Sequence, residues 1–498
     1  MPSIQSEYNF IDKFITAAEL YPDHIAFEIG GTDVKYTYRE CYTGIEMWKG
    51  YFQTLNIRQG DRVFILLPEG IEFIFSFYAL ASIGAISAFY DIKATDYELN
   101  QVITEFDPVG IVASSKFLTT RENLIENKSL QFVLVNESID GESNYFASSK
   151  TVTAASLPHE PQKLVAPDSD TIVSCHFTYK GLGYPLQVRH KYHDYSLFLE
   201  QSMNIYPQKP GAANLTCLPF YPIYGISSSV LFPLSSGAKL LLYIDLNKNS
   251  ILNILESYQV SLVCLVPLLL KMLVKEAKSA GADIRDRLNP SLEIISGGSY
   301  LDKNIQEDIY RLLGIKVYQG YGLTESFPIT FSYKDKVKFG TIGAAFEEFT
   351  SLMIVDHDGQ PLPTGTVGEI AIKGRTLTEG YFGREEETLR LFKDGYHLTG
   401  DLGFVDHENF LYFVGRKQPF TKVTSRMVDL SEVENVLKSH PQVMEARAVV
   451  RENKKFGELV YATVKLEEHQ QLTEIELRNL CKKYLSKHKI PSKVTICY

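Results

Sequence analysis

Apolar positions along the chain switch between two periods, short β-rich runs and helix-spaced stripes. Residues 36–53 (YTYRECYTGIEMWKGYFQ) carry helical spacing after a strand, RVFILL (62–67) has the unbroken apolar character of a buried strand, and Glu72–Ser82 predicts the next helix. GIVAS (110–114) and FVLVN (132–136) predict further strands. This alternation implies parallel sheets covered by helices. From about residue 165 the pattern starts again: TIVSCHF as a strand, a glycine turn, a helix from about Tyr192, then NLTCLPF, AKLLLYI, SLVCLVP and SLEIISGG. After Tyr321 short strands with turn signals dominate, DHDG and DHEN among them as hairpin turns, and a small β-barrel or twisted sheet is expected. A charged stretch, GRKQPFTKVTSRMV, precedes SEVENVLKSH, where Ser431 and Glu434 have capping-box spacing. A boundary near Lys417 divides the chain into a large domain, 1–416, and a small α+β domain, 417–498.

The run FIFSFYALASIGAISAFY between Glu72 and Asp91 is uncharged and long enough to raise the question of a membrane span. Gly84, three serines, two tyrosines and acids at both ends argue instead for a buried helix that breaks near Gly84 into a short strand. No membrane span is expected, and no basic-then-apolar leader is readable at the N-terminus. The chain of 498 residues exceeds a single core, and 22% charged with 45% hydrophobic residues is the composition of a folded protein, not of a disordered chain, collagen or coiled coil. Fifty basic against sixty acidic side chains give −10, so no nucleic-acid partner is expected. Six cysteines without CxxC spacing suggest neither a zinc ribbon nor a disulfide framework, and a cytoplasmic monomer or homodimer is expected.

Candidate chemistry begins at FTYKGLGYPLQ (177–187), a strand feeding a turn with Gly181 and Gly183, where backbone N–H groups can hold a phosphate. Alone it reads equally as an ordinary glycine turn, crowded by Tyr179, Leu182 and Tyr184. Other segments follow in order: LPFYPIYG (218–225), VPLLLKML (266–273), SGGSYL (296–301), QGYGLTES (319–326), VDHDGQPLPTGTVGEIAIKG (355–374), GYF (380–382), DGYHLTGDLG (394–403) and LYFVGR (411–416). Together, over about residues 10–497, they resemble the adenylate-forming superfamily of acyl-CoA synthetases, carrier-loading adenylation domains and luciferases, and most of all its acyl/aryl-CoA ligases.

The resemblance implies an α/β fold: two αβ-sandwich lobes and a β-barrel, hinged to a small mobile α+β domain. It implies joining a carboxylate to the α-phosphate of ATP with Mg²⁺, then passing the acyl group to the thiol of CoA or of a carrier's phosphopantetheine arm. It assigns the ribose hydroxyls to Asp401 and Arg416, Mg²⁺ to Glu325, the α-phosphate to Thr324 and the phosphate loop to Thr178. Gly297, Gly298 and Ser299 match the loop along which adenine lies, with Tyr321 stacking on it. Tyr221, Pro222, Tyr224, Gly225, Gly320 and Gly322, with Gly298 and Ser299, match the acyl pocket, whose apolar and aromatic character suits a fatty or aromatic acid. Taken singly, Asp401 also reads as a turn cap and Glu325 as a solvated carboxylate.

Four departures stand out. In the phosphate loop the expected small and hydroxyl residues are Tyr179, Lys180, Gly181 and Leu182, and Leu186 takes the place of a lysine; Lys180 either restores a cation from the other side of the loop or, the favoured reading, is a solvated loop lysine. The PxxxxGK stretch that carries the family's catalytic lysine does not follow PSKV, and Lys482, Lys483, Lys487 and Lys489 are read as a solvated helix face. At the hinge, Gln418 is followed by Pro419, which restricts it, and Ser425 replaces a glycine near Lys422. Pro222 takes a histidine's place. Two functions follow: an acid–thiol ligase whose adenylation is impaired or completed by a partner enzyme or carrier protein, which the retained positions favour, or a non-catalytic relative that binds nucleotide, acyl group or partner as scaffold or regulator.

Overall fold

A computed structural model describes residues 8–121, 124, 130–135, 151–153, 160–243, 246, 250–281, 283–334, 336–417, 420–423, 426–453, 457–466 and 472–497. The first half forms a seven-stranded sheet. Arg62–Leu66, Ile86–Phe89, Gly110–Ala113 and Phe132–Val135 run parallel in it, and Ile172–Thr178 adds parallel to Ile86–Phe89 before returning antiparallel as Leu186–Lys191. A nine-stranded sheet has Ala213–Thr216, Lys239–Leu242, Leu262–Leu265, Glu293–Ser296 and Val317–Leu323 as its parallel centre, with Ser326–Phe331 turning back antiparallel.

Helix Ile71–Ile83 is buried almost all round and joins the cores of both lobes, with Phe77 and Tyr78 packed on Phe10 and Phe77 on Tyr195. It ends at Gly84, whose φ of 79° closes the last turn in the left-handed region, and strand Ile86–Phe89 follows. The sequence expectation for this segment therefore holds, and among the described residues no helix is long and apolar enough to cross a membrane. The helix expected at 36–53 runs Tyr38–Thr54 behind a capping box of Thr37 and Glu40.

Beyond Tyr321 five strands form an antiparallel sheet: Thr350–Val355, Gly368–Gly374, Phe392–Lys393, Tyr396–Val405 and Leu411–Arg416. DHEN makes the hairpin between the last two. Asp406 Oδ1 accepts from the Glu408 and Phe410 N–H groups, and Asn409 takes a φ of 64°. A hairpin of Phe420–Val423 with Arg426–Asp429 leads into the small C-terminal unit, where helices Leu430–Lys438 and Glu474–Tyr484 pack on strands Val443–Asn453, Gly457–Leu466 and Lys493–Cys497.

The expected Ser431–Glu434 capping box is corrected. Asp429 caps that helix, accepting from the Ser431 and Glu432 N–H groups, while Ser431 Oγ donates to Gly181 O and Glu434 accepts from the Ala448 N–H. Aspartate and serine cap about equally well; here Asp429 already accepts both N–H groups, which leaves Ser431 Oγ to reach the phosphate loop. Gln418, Pro419 and Ser425, and the side chain of Lys422, lie outside the described residues.

Candidate functional site

Parallel strands of both lobes point their carboxyl ends at one crevice, the usual place for a ligand in open α/β sheets. A cavity of about 480 Å³ lies there, lined from the first lobe by Phe89 and Thr178, from the second by Ile295 and Gly297, from the third sheet by Thr399, and from the C-terminal unit by Ser486. Its walls are mostly aromatic and aliphatic.

The DHEN hairpin sets the register that makes Asp401 and Arg416 direct cross-strand partners. Arg416 Nε lies 2.9 Å from Asp401 Oδ1, and Tyr321 donates its hydroxyl to Asp401 Oδ2 at 2.8 Å. Asp401 is 1% exposed, yet all three residues line the cavity. Burial and then the Asp401 charge hold the Tyr321 phenol well above its ordinary pKa, so it stays a donor. LTGD, VGR and the tyrosine of YGLTE are thus brought together. A carboxylate has about four acceptor positions, so this cluster retains capacity for the diol of a ribose.

Thr324, Gly297, Gly298, Gly320 and Gly322 also line the cavity, as do Tyr221, Pro222, Tyr224 and Gly225; Ser299 does not. Tyr224 belongs to the short helix Ile223–Gly225, which runs into the π-helical turn Ile226–Leu231, and Ser227 and Ser228 of that turn face the cavity. A Cβ on Gly297 would stand 2.8 Å from the Tyr224 ring, so a side chain there would have to displace the ring where it crosses the loop.

The phosphate loop differs from its expectation. Gly181 and Gly183 take φ of 74° and 80°, and the Gly183 N–H donates to Asp429 Oδ2 at 2.9 Å, so the C-terminal unit takes up a donor that a phosphate loop would offer its ligand. Lys180 is not solvated. Its side chain is 4% exposed, and Nζ stands 2.8 Å from Glu325 Oε1, itself 1% exposed. The Tyr381 hydroxyl, held by the pairing of GYF with the strand after the loop, donates to the same oxygen at 2.6 Å. Burial raises the Glu325 carboxyl, but the Lys180 ammonium, His397 and the hydrogen bonds from Lys180 and Tyr381 together outweigh it and leave the group at about 2. His397, 4.0 Å from Glu325, is pushed down to about 4 by burial and then by Lys180, so its ring is neutral at pH 7. Oε1 of Glu325, the residue that the resemblance assigns to Mg²⁺, is held by an ammonium and a phenol.

Lys489 is likewise no part of a solvated helix face. It lies 2.7 Å from Glu432 Oε2 and in ion contact with Glu98, with its ammonium 5.0 Å from the centre of the Tyr179 ring. Burial disfavours its charge, and Glu432, Tyr90 and Glu98 together more than offset that, so its pKa is raised. Arg426 reaches Asp91 at 3.3 Å. Among the described residues, each Lys or Arg lining the cavity therefore faces a carboxylate that also lines it: Lys180 with Glu325, Arg416 with Asp401, Arg426 with Asp91, Lys489 with Glu98. Sequence reasoning did not assign Lys489, Arg426, Asp91, Tyr381 or His397 to the site and weighed Lys180 only as a loop cation; GYF and DGYHLTGDLG, both among the matching segments, contain Tyr381 and His397.

Comparison with known proteins agrees with this architecture. The chain is 26% identical to 4-coumarate–CoA ligase 4 of Arabidopsis thaliana over 92% of its length and 82% of that protein. It is also 26% identical to crotonobetaine/carnitine–CoA ligase of Escherichia coli (strain SE11), over 94% and 90%. The fold matches a double mutant of o-succinylbenzoate CoA synthetase from Bacillus subtilis, bound with a product analogue, with a TM-score of 0.83 at 23% identity, covering 99% of this chain and 95% of that one. It matches the amide bond synthetase of Marinactinospora thermotolerans with 0.85 at 21%, covering 98% and 95%. The model of the AMP-binding enzymes matches residues 14–382, and that of the AMP-binding enzyme C-terminal domain matches 432–497. The chain belongs to the AMP-binding, adenylate-forming enzyme family.

Proposed function

We propose that this cleft holds an adenosine monophosphate group beside a fatty or aromatic acyl group, and that the protein is an acid–thiol ligase that delivers the acyl group to the thiol of CoA or of a carrier's phosphopantetheine arm. The observation that carries the reading is the Asp401–Arg416–Tyr321 cluster lining an otherwise aromatic cavity. In this reading Asp401 accepts the ribose hydroxyls, Arg416 fixes the carboxylate with its guanidinium fork, Gly297 and Gly298 form the adenine wall with Tyr321, and Thr324 and Thr178 offer hydroxyls to the phosphate. Tyr221, Tyr224 and the glycines 225, 320 and 322 bound the acyl group. The division after Arg416, with a hinge at Gln418, belongs to the same proposal.

The first half-reaction, from ATP, is slow or completed by a partner. A triphosphate needs donors and positive charge to offset its own repulsion; here the cations are paired and the Gly183 N–H is taken. These same observations favour a second reading, a non-catalytic relative that retains nucleotide or acyl binding. The experiment compares two reactions: ATP, Mg²⁺ and a panel of carboxylic acids with hydroxylamine, and a synthetic acyl-adenylate with CoA. Thioester from the acyl-adenylate, with little or no pyrophosphate from ATP, supports the ligase with an impaired first step. No turnover in either assay, while AMP still binds, gives the second reading.

A further inference from the structure

Glu325 meets Lys180 across the cleft from a distant part of the chain. Lys180 follows strand Ile172–Thr178, Glu325 follows strand Val317–Leu323, and both side chains line the cavity while nearly out of water. Oε1 has the ammonium at 2.8 Å and the Tyr381 phenol at 2.6 Å, with neutral His397 behind at 4.0 Å. None of these offers an anionic oxygen. Magnesium takes close octahedral oxygen ligands and keeps several waters, so it does not fit this oxygen. A divalent ion at the other oxygen, Oε2, which accepts no hydrogen bond among the described residues, would share one carboxylate with a fixed ammonium and be repelled by it.

We infer that Lys180 is a resident cation of the cleft: its ammonium takes the place on Glu325 that a divalent metal holds in the resembled enzymes, and the cleft binds an adenosine monophosphate group without metal. The inference rests on the nucleotide reading above for its ligand and on the Lys180–Glu325 geometry alone for its exclusion of metal. A lysine is a point charge with three donors on a flexible stem, suited to holding a carboxylate while standing beside a singly or doubly charged phosphate. Because every cavity cation among the described residues is already matched, a monophosphate is the phosphate ester whose charge this site tolerates best.

The test uses Mn²⁺ as the probe, followed by the paramagnetic signal of the free ion during titration into the full chain. Wild type and Glu325→Gln are expected to give superimposable curves, whereas Lys180→Met gains one site that Lys180→Met/Glu325→Gln loses. A manganese site in wild type that Glu325→Gln abolishes overturns the inference. Lys180→Met leaves a buried carboxylate uncompensated, so a second measurement spares that fold: AMP titrated calorimetrically into wild type in EDTA and in Mg²⁺. Affinities within about twofold support the resident cation, and a loss of about tenfold or more in EDTA overturns it. Silence of AMP in both buffers refutes the nucleotide reading, and the comparison of wild type with Glu325→Gln in manganese then decides the role of Lys180 by itself.

Discussion

Lys489, in the short helical turn before the last strand, places its ammonium 2.7 Å from Glu432 on the helix that caps the phosphate loop, and neither side chain is more than 3% exposed. Glu98 of the first lobe completes a buried triad, so the C-terminal unit is fastened to the lobe through one cation and two carboxylates. The Thr95 hydroxyl, donating to Tyr484 O at 2.8 Å, lies beside it. Removing one member of a buried pair costs about 3–5 kcal/mol, because the partner's charge is left uncompensated. Lys489→Met is expected to lose that order of stability in urea denaturation, and adding Glu432→Gln to restore part of it. Equal stability of Lys489→Met and wild type would remove the triad from any role in fastening the unit.

Acid should weaken the fold in two overlapping windows. His397 sits at about 4 against an ordinary 6.5, so between those values the unfolded chain binds more protons than the native one. Stability present above 6.5 is therefore lost as pH falls towards 4. Glu325 sits at about 2 against an ordinary 4.5, and its contribution is lost lower, from 4.5 towards 2. Each group contributes a slope of at most about 1.4 kcal/mol per pH unit within its window. Urea denaturation as a function of pH should show this decline, and His397→Asn should flatten the upper window. An unchanged profile in His397→Asn contradicts the assignment.

Acyl size should follow Tyr224. Its ring crosses the Gly297 loop, so a side chain there would have to displace it. Tyr224→Ala opens the cavity beyond about 480 Å³, and Gly297→Ala forces the ring inward. A methylene in an apolar pocket is worth roughly 1–3 kcal/mol. With a graded series of acyl-sulfamate adenosine analogues, Tyr224→Ala should shift the best binder to a longer or bulkier acyl group, and Gly297→Ala to a smaller one. The same optimum in all three proteins would place the acyl group elsewhere.

How much of this was legible depends on whether partners were near in sequence. Asp401, Arg416 and Tyr321 were picked out by the resemblance their motifs carry; one hairpin, DHEN, brings the first two opposite each other, while Tyr321 arrives from 80 residues away. The helix that stops at Gly84 was legible because its apolar run and terminating glycine are local. Lys180 and Lys489 were read as solvated because composition and spacing show a lysine's charge but not the carboxylate that arrives from a distant part of the chain. Ser431 had capping-box spacing, yet Asp429 two residues earlier already accepts both N–H groups and leaves the hydroxyl to Gly181. Local patterns fixed the elements; the ion pairs that decide what the cleft accepts are long-range.

Calorimetry with AMP and 2′,3′-dideoxy-AMP on wild type and Asp401→Asn shows whether Asp401 receives the hydroxyls of a ribose. Hydrogen bonds to a charged group are worth about 1.5–3 kcal/mol. Wild type should bind AMP about tenfold or more tightly than the dideoxy analogue, and Asp401→Asn should bind the two alike. AMP that fails to bind wild type, or binds Asp401→Asn with the wild-type preference, would contradict the account.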